Sequence, residues 1–304
     1  MNVLVTGASG YVGRALVKSL LADGINVFAI IRKNTDKRLL NHGLAGLHVD
    51  NGDDNQLLKF VKGSNCEGVI HLASYFTVSH KTCELYDLIN SNVLFSTRII
   101  DISCSHGISW FLNIGTFWEH LDCSDYFPVN LYAATKKAFE NISRYYIEQF
   151  NLKYLTLKIN DTYGPGDKRN KIINLWFNTI KNGASLKMSP GDQLIDIVYI
   201  DDVVDALRIA MKRLCNDGIE RKKCETYRIS AIEKYSLKEL SKLFEESVGR
   251  KLKIEWGALP YRSNEVMNPS CPFKIVPGWT PKISIKKGLS MLSQEYFIQR
   301  NIRR

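Results

Sequence analysis

The sequence predicts an α/β protein with a doubly wound parallel sheet and a smaller, interleaved C-terminal lobe. In the first half of the 304-residue chain, short apolar runs alternate with stretches of helical periodicity. Strands separated by helices pair in parallel through right-handed crossovers, which places helices on both faces of one sheet. The run VFAII at 27–31 is apolar throughout, as expected for a strand that is buried on both faces.

The elements follow in chain order. Strands are predicted at 2–6, 25–31, 45–49, 67–72, 109–114 and 154–159. Helices are predicted near 11–23, 53–63, 84–106 and 130–150. Beyond the segment YGPGD at 163–167, the pattern predicts a helix at 169–182, two short strands, a helix capped by Asp201 or Asp202, and a helix at 236–248. The proline-containing segment 251–282 is predicted to be rich in loops.

A glycine-rich turn, VTGASGYVGRAL, joins the first strand to the first helix. In such a turn the first glycine allows the tight bend, the second lets a pyrophosphate approach the backbone, and the third lets the helix pack closely on the sheet. The N-terminus of the helix faces the phosphates. The pattern therefore predicts a Rossmann-like dinucleotide site. Its candidate residues are Gly7, Ser9, Gly10, Tyr11, Val12 and Gly13.

The second strand ends in IIRKN, which bears on the choice of cofactor. An acidic residue at this place would bind the ribose 2′-hydroxyl of NAD. Arg32 and Lys33 stand there instead. Two cations suit a 2′-phosphate, which a guanidinium engages with two hydrogen bonds. We therefore predict NADP(H), although ordinary surface charges are the alternative interpretation of this pair.

The two parts of the chain are predicted to enclose a cleft. We expect an NADP-binding Rossmann domain at 1–165, to which 192–215 returns, and a substrate-binding lobe at 166–191 and 216–304. Ligands of open α/β sheets lie beyond the carboxyl ends of the strands, so the site is expected at those ends.

Composition excludes several classes of protein. The hydrophobic fraction is 45% and the charged fraction is 24%, which are ordinary values for a globular protein. No apolar run approaches the roughly 20 residues of a membrane span, and the start MNVLVTGASG is unlike a signal peptide. Seven scattered cysteines without Cys-x-x-Cys pairs favour reduced thiols, hence a cytoplasmic location. We expect no membrane partner and no metal site.

The net charge of +10 raises the question of a nucleic-acid partner. Much of the excess is spread over helices or lies in the tail QRNIRR. The sequence carries no helix-turn-helix signature, zinc knuckle or RNP-like aromatic strand. We therefore expect no nucleic acid, because binding of anionic small molecules accounts for the charge equally well.

A tyrosine and a lysine in NLYAATKKAF stand four positions apart. On the helix predicted at 130–150, Tyr132 and Lys136 lie on one face, about one turn apart. With the G-x-x-G-x-x-G turn and YGPGD, this motif makes the chain resemble the extended short-chain dehydrogenase/reductase family, which acts mainly on nucleotide-diphosphate sugars. The resemblance runs through nearly all of the chain, including HVDNGD at 48–53, HLAS at 71–74 and IDIVYIDDVVDAL at 195–207.

The resemblance implies roles for individual residues. Thr116 takes the place of the family's Ser/Thr and holds the substrate oxygen. Tyr132 exchanges a proton with a sugar oxygen, and the Lys136 ammonium favours the phenolate and binds the nicotinamide ribose. Both also count as cofactor-binding. The remaining cofactor contacts implied by the family are Asp50 and Asn51 beside the adenine, Leu72, Ala73 and Ser74 beneath the dinucleotide, and Asn92 on the central helix.

Three reactions are common on this scaffold: 4-epimerisation, 4,6-dehydration and reduction of a keto sugar. Dehydratases follow their threonine with an Asp-Glu pair, whereas Phe117 and Trp118 stand here, and neither is an acid or a base. Glu119 comes one position late. An epimerase recycles a tightly held NAD, and a reductase consumes NADPH, so Arg32 and Lys33 favour reduction.

Further segments, including GTFWEH and GALPYRSNEVM, resemble a narrower group, the CDP-abequose and CDP-paratose synthases. That group reduces the C4 ketone of a CDP-4-keto-3,6-dideoxy sugar with NADPH, for lipopolysaccharide O-antigen or similar glycans. Tyr75, Phe76, Phe117 and Trp118 are candidates for lining the sugar pocket, with packing in the core as the alternative.

Substrate contacts are expected from Asp161, Lys171 and Arg262, with a purely structural role as the alternative for Lys171 and Arg262. Asp161 stands where the family has a substrate-binding asparagine, and Ile195 replaces an arginine that clamps the diphosphate. Since a carboxylate repels a phosphate, we expect Arg262, and also Lys171, to carry the diphosphate contacts. The family further implies a homodimer through a four-helix bundle formed by 84–106 and 130–150.

The sequence thus predicts an NADPH-dependent 4-ketoreductase acting on a small nucleotide-sugar substrate. An NDP-sugar 4-epimerase with tightly bound NAD is the alternative enzyme. A regulatory protein that binds NADP(H) without turnover is the alternative of another class, and the presence of Thr116, Tyr132 and Lys136 argues against it.

Overall fold

The computed structural model describes residues 1–216 and 218–302, with side chains up to residue 297. The seven strands of its main sheet are β1 (Asn2–Thr6), β2 (Asn26–Arg32), β3 (Gly46–Asp50), β4 (Gly68–His71), β5 (Trp110–Thr116), β6 (Lys153–Ile159) and β11 (Cys224–Ile229). Their order in the sheet is β11-β6-β5-β4-β1-β2-β3. All neighbouring strands of this sheet pair in parallel. The predicted doubly wound α/β class is confirmed.

The helices cover both faces of the sheet and build the lobe. They are α1 (Tyr11–Ala22), α2 (Asp54–Ser64), α3 (Leu85–Ile89), α4 (Phe95–Ser105), α5 (Leu131–Phe150), α6 (Ile172–Asn182), α7 (Ile200–Cys215), α8 (Leu237–Val248) and α9 (Ile285–Ile302). Three two-stranded ladders complete the described elements. They are β7 (Asp161–Tyr163) with β10 (Ile197–Tyr199), β9 (Leu194–Ile195) with β12 (Tyr235–Ser236), and β8 (Leu186–Met188) with β13 (Ile254–Trp256).

Alternating side chains of the buried strands enter two separate hydrophobic cores. Val3 and Val5 of β1 point into one core, and Leu4 points into the other. The first core continues into the lobe through Trp176 and Phe244, so one apolar interior joins the lobe to the sheet. Burial of these side chains is the main stabilising contribution that fixes the position of the lobe.

Several predicted elements differ in detail from the observed ones. The helix predicted at 84–106 is divided into α3 and α4 by a π-helical turn at Asn90–Leu94. Helix α7 begins at Ile200, so Asp201 and Asp202 lie in its first turn instead of capping it. The carboxylate of Asp202 accepts hydrogen bonds from the backbone N–H groups of Lys282 and Ile283, at 3.0 and 2.9 Å. This anchors the segment that precedes α9.

The sequence missed one strand of the main sheet. Strand β11 pairs with β6, although it lies in the range 216–304 that was assigned to the lobe. The sheet therefore takes its outermost strand from that range, and the boundary at 216 does not separate sheet from lobe. The remaining division into two parts stays a prediction.

Among the residues that the structure describes, no helix has both the length and the apolar character needed to cross a lipid bilayer.

Candidate active site

The carboxyl ends of the central strands meet at one edge of the sheet, where two adjoining cavities lie. The outer cavity, of about 770 Å³, runs from the glycine turn to the end of β2. The inner cavity, of about 530 Å³, runs from the same turn to the ends of β5 and β6. Gly7, Gly10, Leu72 and Ser74 line both cavities, so the two form one continuous cleft. Its position is the predicted one, at the switch point between β1 and β4.

The glycine turn has the geometry that the sequence predicts. Gly7 has a φ of +70°, and a Cβ there would lie 2.7 Å from the backbone nitrogen of Ala73. A Cβ on Gly13 would lie 2.1 Å from the carbonyl oxygen of Gly7. Gly10 is the N-cap of α1, and because it has no side chain, the first N–H groups of the helix are left to bind another group. These features fit a pyrophosphate at the helix N-terminus.

Replacing Gly13 with Ala is expected to weaken both the turn and dinucleotide binding. The added methyl group would overlap the Gly7 carbonyl oxygen. Because this oxygen belongs to the backbone, it can move away only if the turn opens. Overpacking of this kind lowers the free energy of unfolding by roughly 1–3 kcal/mol. Thermal unfolding with and without NADPH measures the effect. Gly63→Ala is the control, since this exposed glycine on α2 has space around it. Equal melting temperatures for the two variants would contradict the assigned packing.

Two exposed cations border the outer cavity. Arg32 ends β2, Lys33 follows it, and both line the cavity together with Ser9. Asp50, at the end of the neighbouring strand, also lines the cavity, but its carboxylate forms an ion pair of 3.2 Å with Arg98. The end of β2 therefore adds two cations to the outer cavity, which fits an anionic cofactor, while Asp36, paired with Arg38, and Asp87 also line it.

Thr116, Tyr132 and Lys136 all line the inner cavity. Thr116 ends β5, and its Oγ1 accepts a hydrogen bond of 3.3 Å from the backbone N–H of Trp118. Asn130 caps α5 through a bond of 3.0 Å from the N–H of Ala133 to its side chain, which fixes the start of the helix beside Tyr132. The Lys136 side chain follows one turn later and is buried. The structure thus brings together the three residues that the sequence selects for catalysis.

Burial controls the protonation of the tyrosine and the lysine. It raises the pKa of Tyr132, and the Glu119 carboxylate raises that pKa further, while a hydrogen bond with Ser74 opposes the change. Burial lowers the pKa of Lys136 to about 8, although Glu119 and Glu140 oppose this shift. Tyr132 is therefore protonated at neutral pH, as a proton donor must be. That Lys136 favours the phenolate once the proton has left stays a prediction.

Two aromatic rings pack against the ring of Tyr132. The ring of Phe76 contacts that of Tyr132 edge-on at 5.0 Å between centroids, and the Trp118 ring lies 5.6 Å from Phe76. The Lys171 Nζ atom lies 4.4 Å from the centroid of Phe76 and donates a hydrogen bond of 2.6 Å to Asp161 Oδ1. All these side chains line the inner cavity, so its wall combines aromatic faces with the Lys171–Asp161 ion pair.

Five predicted site residues lie elsewhere. Phe117 packs in the core at 3% exposure, and Arg262 and Asn51 are exposed outside both cavities. Tyr75 lines the outer cavity instead of the sugar pocket, since its hydroxyl donates a hydrogen bond of 2.7 Å to Glu84. Asn92 is 1% exposed and lines neither cavity, so its side chain is not placed to contact a cofactor directly.

The buried amide of Asn92 holds the loop after β4 in place. Its Oδ1 atom accepts hydrogen bonds from Ser74 Oγ and from the N–H of Tyr75, at 3.1 and 2.7 Å. Its Nδ2 atom donates to the Tyr75 carbonyl and to Thr135 Oγ1, both at 2.9 Å. Asn92 therefore positions Ser74 against Tyr132 instead of facing the cleft.

The structure also adds residues that the sequence did not select. Asn160, Thr162, Arg169 and Asn170 line the inner cavity. The Arg169 guanidinium lies 4.4 Å from the centroid of the Tyr11 ring and donates to the Thr162 carbonyl at 2.8 Å. Behind the cavity, Glu119, Lys158 and Glu140 form a buried cluster of charges. A lysine inside the apolar strand KYLTLKI is the signal from which this cluster could have been inferred.

The fold and this cleft define a dinucleotide-binding α/β protein with a Thr–Tyr–Lys site of the short-chain dehydrogenase/reductase type. No group of three or more metal-binding side chains occurs within the described part of the chain. The family model described as NAD dependent epimerase/dehydratase family matches residues 3–221. The chain belongs to this family.

Curated relatives match nearly the whole chain. The CDP-abequose synthase of Salmonella typhimurium is 29% identical over 297 residues, which cover 95% of this chain and 96% of that protein. The CDP-abequose synthase of Yersinia pseudotuberculosis is 27% identical, covering 90% of this chain and 93% of the relative. Among solved structures, the UDP-glucose 4-epimerase of Thermotoga maritima has a TM-score of 0.83 at 23% identity, covering 99% of this chain and 100% of the other. At that identity the likeness establishes the fold alone.

Proposed function

We propose that the protein reduces the C4 keto group of a nucleotide-diphosphate 4-keto-6-deoxy or 3,6-dideoxy sugar, CDP-linked, with NADPH. One observation carries the proposal. Thr116, Tyr132 and Lys136 line a cavity that continues past the glycine turn to Arg32 and Lys33. A proton donor, a buried cation and a phosphate-binding turn thus belong to a single cleft.

The side chains supply the proton half of the reaction. NADPH, when bound, supplies the hydride that reduces the C4 carbonyl carbon, and NADP⁺ results. Thr116 holds the carbonyl oxygen, and the Tyr132 hydroxyl donates its proton to that oxygen, so the ketone becomes a secondary alcohol. The phenolate left on Tyr132 is stabilised by the ammonium of Lys136 until solvent returns a proton. Gly7, Gly10 and the N-terminus of α1 would hold the pyrophosphate.

The NADP form of the cofactor is supported by charge at the end of β2. Arg32 and Lys33 provide donors for a 2′-phosphate, and Asp50, the nearest acidic strand end, is paired with Arg98. NAD would gain nothing from the two cations. A net reduction draws on a dissociable NADPH pool, which agrees with this preference.

Dehydration is disfavoured by the side chains that come directly after Thr116. Phe117 is buried, and Trp118 presents an indole to the cavity, so neither position offers an acid or a base. Glu119 is fully buried and accepts a hydrogen bond of 3.0 Å from the backbone N–H of Thr116. Glu119 does not line the inner cavity, so it is not placed to act on a substrate there.

The sugar and its nucleotide are proposed from the relatives and the wall of the cavity. Two of the relatives named above are CDP-abequose synthases, which supports a CDP-linked deoxy sugar and a role in deoxysugar biosynthesis. Phe76 and Trp118 provide apolar faces that suit a sugar with missing hydroxyl groups. Lys171 and Arg169 line the inner cavity and are the proposed cations for the diphosphate, which would compete for them with their present partners, Asp161 and Asp167. Arg262 lines neither cavity.

An assay of NADPH consumption tests the proposal against CDP-, GDP-, UDP- and dTDP-linked 4-keto sugars. The expected result is stoichiometric loss of NADPH with a CDP-linked substrate and formation of the C4 alcohol. Interconversion of two saturated sugars without NADPH loss would show that the protein is a 4-epimerase and not a reductase. Binding of NADPH without turnover of any sugar would point to a regulatory protein.

We also propose that two copies pair through α3, α4 and α5 in the cytoplasm. Large apolar side chains are exposed on α3, on the π-helical turn before α4 and on α5: Tyr86 at 75%, Leu94 at 53% and Tyr145 at 62%. Two α-helical hairpins that bury such a face form a four-helix bundle. The free cysteines agree with a reducing compartment. Sedimentation equilibrium is expected to give twice the chain mass of 34.7 kDa, and a single chain mass would rule out the pairing.

A further inference from the structure

Behind the catalytic residues lies a group of three charged side chains that are removed from solvent. The Lys158 side chain, on β6, is 0% exposed, and its Nζ atom donates hydrogen bonds to Glu119 Oε2 at 2.5 Å and to Glu140 Oε1 at 2.6 Å. The Glu119 side chain is also 0% exposed, and that of Glu140 is 10% exposed. We call these three residues the buried charge cluster. Two carboxylates share the Lys158 ammonium, and Lys137 also pairs with Glu140 at 3.4 Å. Burial and the neighbouring Glu140 raise the pKa of Glu119, while Lys158 lowers it.

The cluster is hydrogen-bonded to Thr116 and is close along the chain to Lys136. Glu119 Oε1 accepts a hydrogen bond of 3.0 Å from the N–H of Thr116, so one carboxylate holds the end of β5. Glu140 stands four residues after Lys136 on α5, hence on the same helical face one turn along. The side chains of Glu140 and Lys158 pack against the backbone of Gly115. A Cβ on that glycine would lie 2.7 Å from Glu140 Oε1 and 2.8 Å from Lys158 Cδ. Glycine before Thr116 thus gives the cluster its space.

Buried ion pairs of this kind call for a functional explanation. In many proteins the free energy lost by removing the charges from water exceeds the free energy gained by pairing them. Apolar residues of similar volume would pack in the same place with less loss of solvation. The arrangement places two carboxylates near a buried lysine, and both raise its pKa. Lys136 is 3% exposed, and an ammonium in such a place loses its proton unless a negative charge stabilises it.

We propose that Glu119, Lys158 and Glu140 are positioning residues that keep Lys136 in its ammonium form and hold Thr116 at the strand end. This inference rests on the proposed function, in which a charged Lys136 stabilises the Tyr132 phenolate. The cluster itself touches neither substrate nor cofactor. It acts by charge and by the bond to Thr116.

The charged and titratable groups around Lys136 come from several packed elements. His71 on β4 is buried and neutral, since burial and the nearby Lys136 lower its pKa, and Thr6 and Ser96 bind its ring nitrogens. Lys158 on β6 opposes the charge of Lys136, and Glu119 and Glu140 favour it. Ser74 and Asp161 act on the neighbouring Tyr132. Lys137 donates a hydrogen bond to Glu140. His120 lies near Lys158, and burial together with this ammonium lowers the pKa of its imidazole. The two carboxylates are thus the groups that favour the ammonium.

The test measures the pKa of Lys136 directly, without a sugar. Protein labelled with ¹³C at the lysine Cε is titrated by NMR, and the Lys136 resonance is assigned by its loss in Lys136→Arg. Glu119→Gln is expected to lower the pKa of Lys136 by about one unit or more, the usual effect of losing a close opposite charge. Glu140→Gln is expected to act in the same direction. Glu148→Gln, an exposed carboxylate on the same helix, is expected to change nothing.

A double variant separates charge from folding. Glu119→Gln with Lys158→Met removes one charge of each sign, so the net charge around Lys136 stays the same and no buried ammonium loses a partner. The pKa of Lys136 is expected to return towards the wild-type value in this variant. If Glu119→Gln does not fold, Glu140→Gln gives the same comparison, since Lys158 then retains Glu119.

The enzymatic readout is the alkaline limb of the pH profile of kcat. It is expected to move to lower pH in Glu119→Gln and to recover in the double variant, which a purely structural role would not produce. An unchanged pKa of Lys136 in the single variants would overturn the inference even if the keto-sugar reduction is correct. Failure to reduce any keto sugar would instead refute the proposed function while leaving the titration result standing.

Discussion

Tyr132→Phe is expected to lower kcat for keto-sugar reduction by about 10²–10⁴-fold, the usual contribution of a positioned acid. The substitution removes only the hydroxyl, so the ring contacts with Phe76 and Trp118 remain. Affinity for NADPH is expected to change little, because the glycine turn and Lys136 are untouched. Stopped-flow reduction and fluorescence titration of NADPH measure the two quantities separately.

Tyr145→Phe is the matched control for that experiment. Tyr145 lies on the same helix, α5, and its side chain is exposed. The same loss of a hydroxyl there is expected to leave kcat unchanged. A Tyr132→Phe enzyme that turns over at a rate close to the wild type would show that another group donates the proton.

Exchanging Arg32 for Asp and Lys33 for Gly is expected to weaken NADPH binding by roughly 10–100-fold, while NADH binding holds or improves. This factor corresponds to one charge-assisted hydrogen bond, worth about 1.5–3 kcal/mol. The new carboxylate also repels the 2′-phosphate and offers an acceptor to the ribose hydroxyls of NADH. Dissociation constants for both cofactors at one fixed ionic strength give the comparison.

A second pair of cations controls for the change in overall charge. Lys59 and Lys62 are exposed on α2 and line neither cavity. Lys59→Asp with Lys62→Gln changes the net charge by the same amount and is expected to leave the NADPH-to-NADH ratio intact. Equal losses for both cofactors in the Arg32 and Lys33 variant would contradict the 2′-phosphate role.

The sequence predicts the strands that contain a short, largely apolar run, whether they are fully or partly buried. β1, β3, β4 and β6 were all predicted within a residue or two, although β3 is largely half-buried. Strand β11, CETYRI, lies at the edge of the sheet, is mostly half-buried and lacks such an apolar run. The π-helical turn at Asn90–Leu94 leaves no mark on a periodicity of 3.6 residues, and the helix was therefore predicted as continuous.

The residues of the candidate site also differ in whether the sequence could predict them. Gly7, Tyr132 and Lys136 belong to local motifs, whose spacing on a turn or a helix is visible in the sequence. The placement of Arg262 outside the cleft and the burial of Phe117 depend on how distant segments pack. The buried charge cluster comes from three elements and meets only through the register of β5 with β6, in which Gly115 faces Lys158. Spacing along the chain carries no such information.

The outermost strand of the sheet limits how the chain can be shortened. All seven residues of β6 are buried, and β11 covers the outer side of that strand. A chain that stops before Cys224 would therefore present a long apolar strand with unpaired N–H and carbonyl groups. Such edges recruit strands from other molecules. Removal of the C-terminal part would thus yield intermolecular sheet formation and aggregation rather than an isolated cofactor-binding unit.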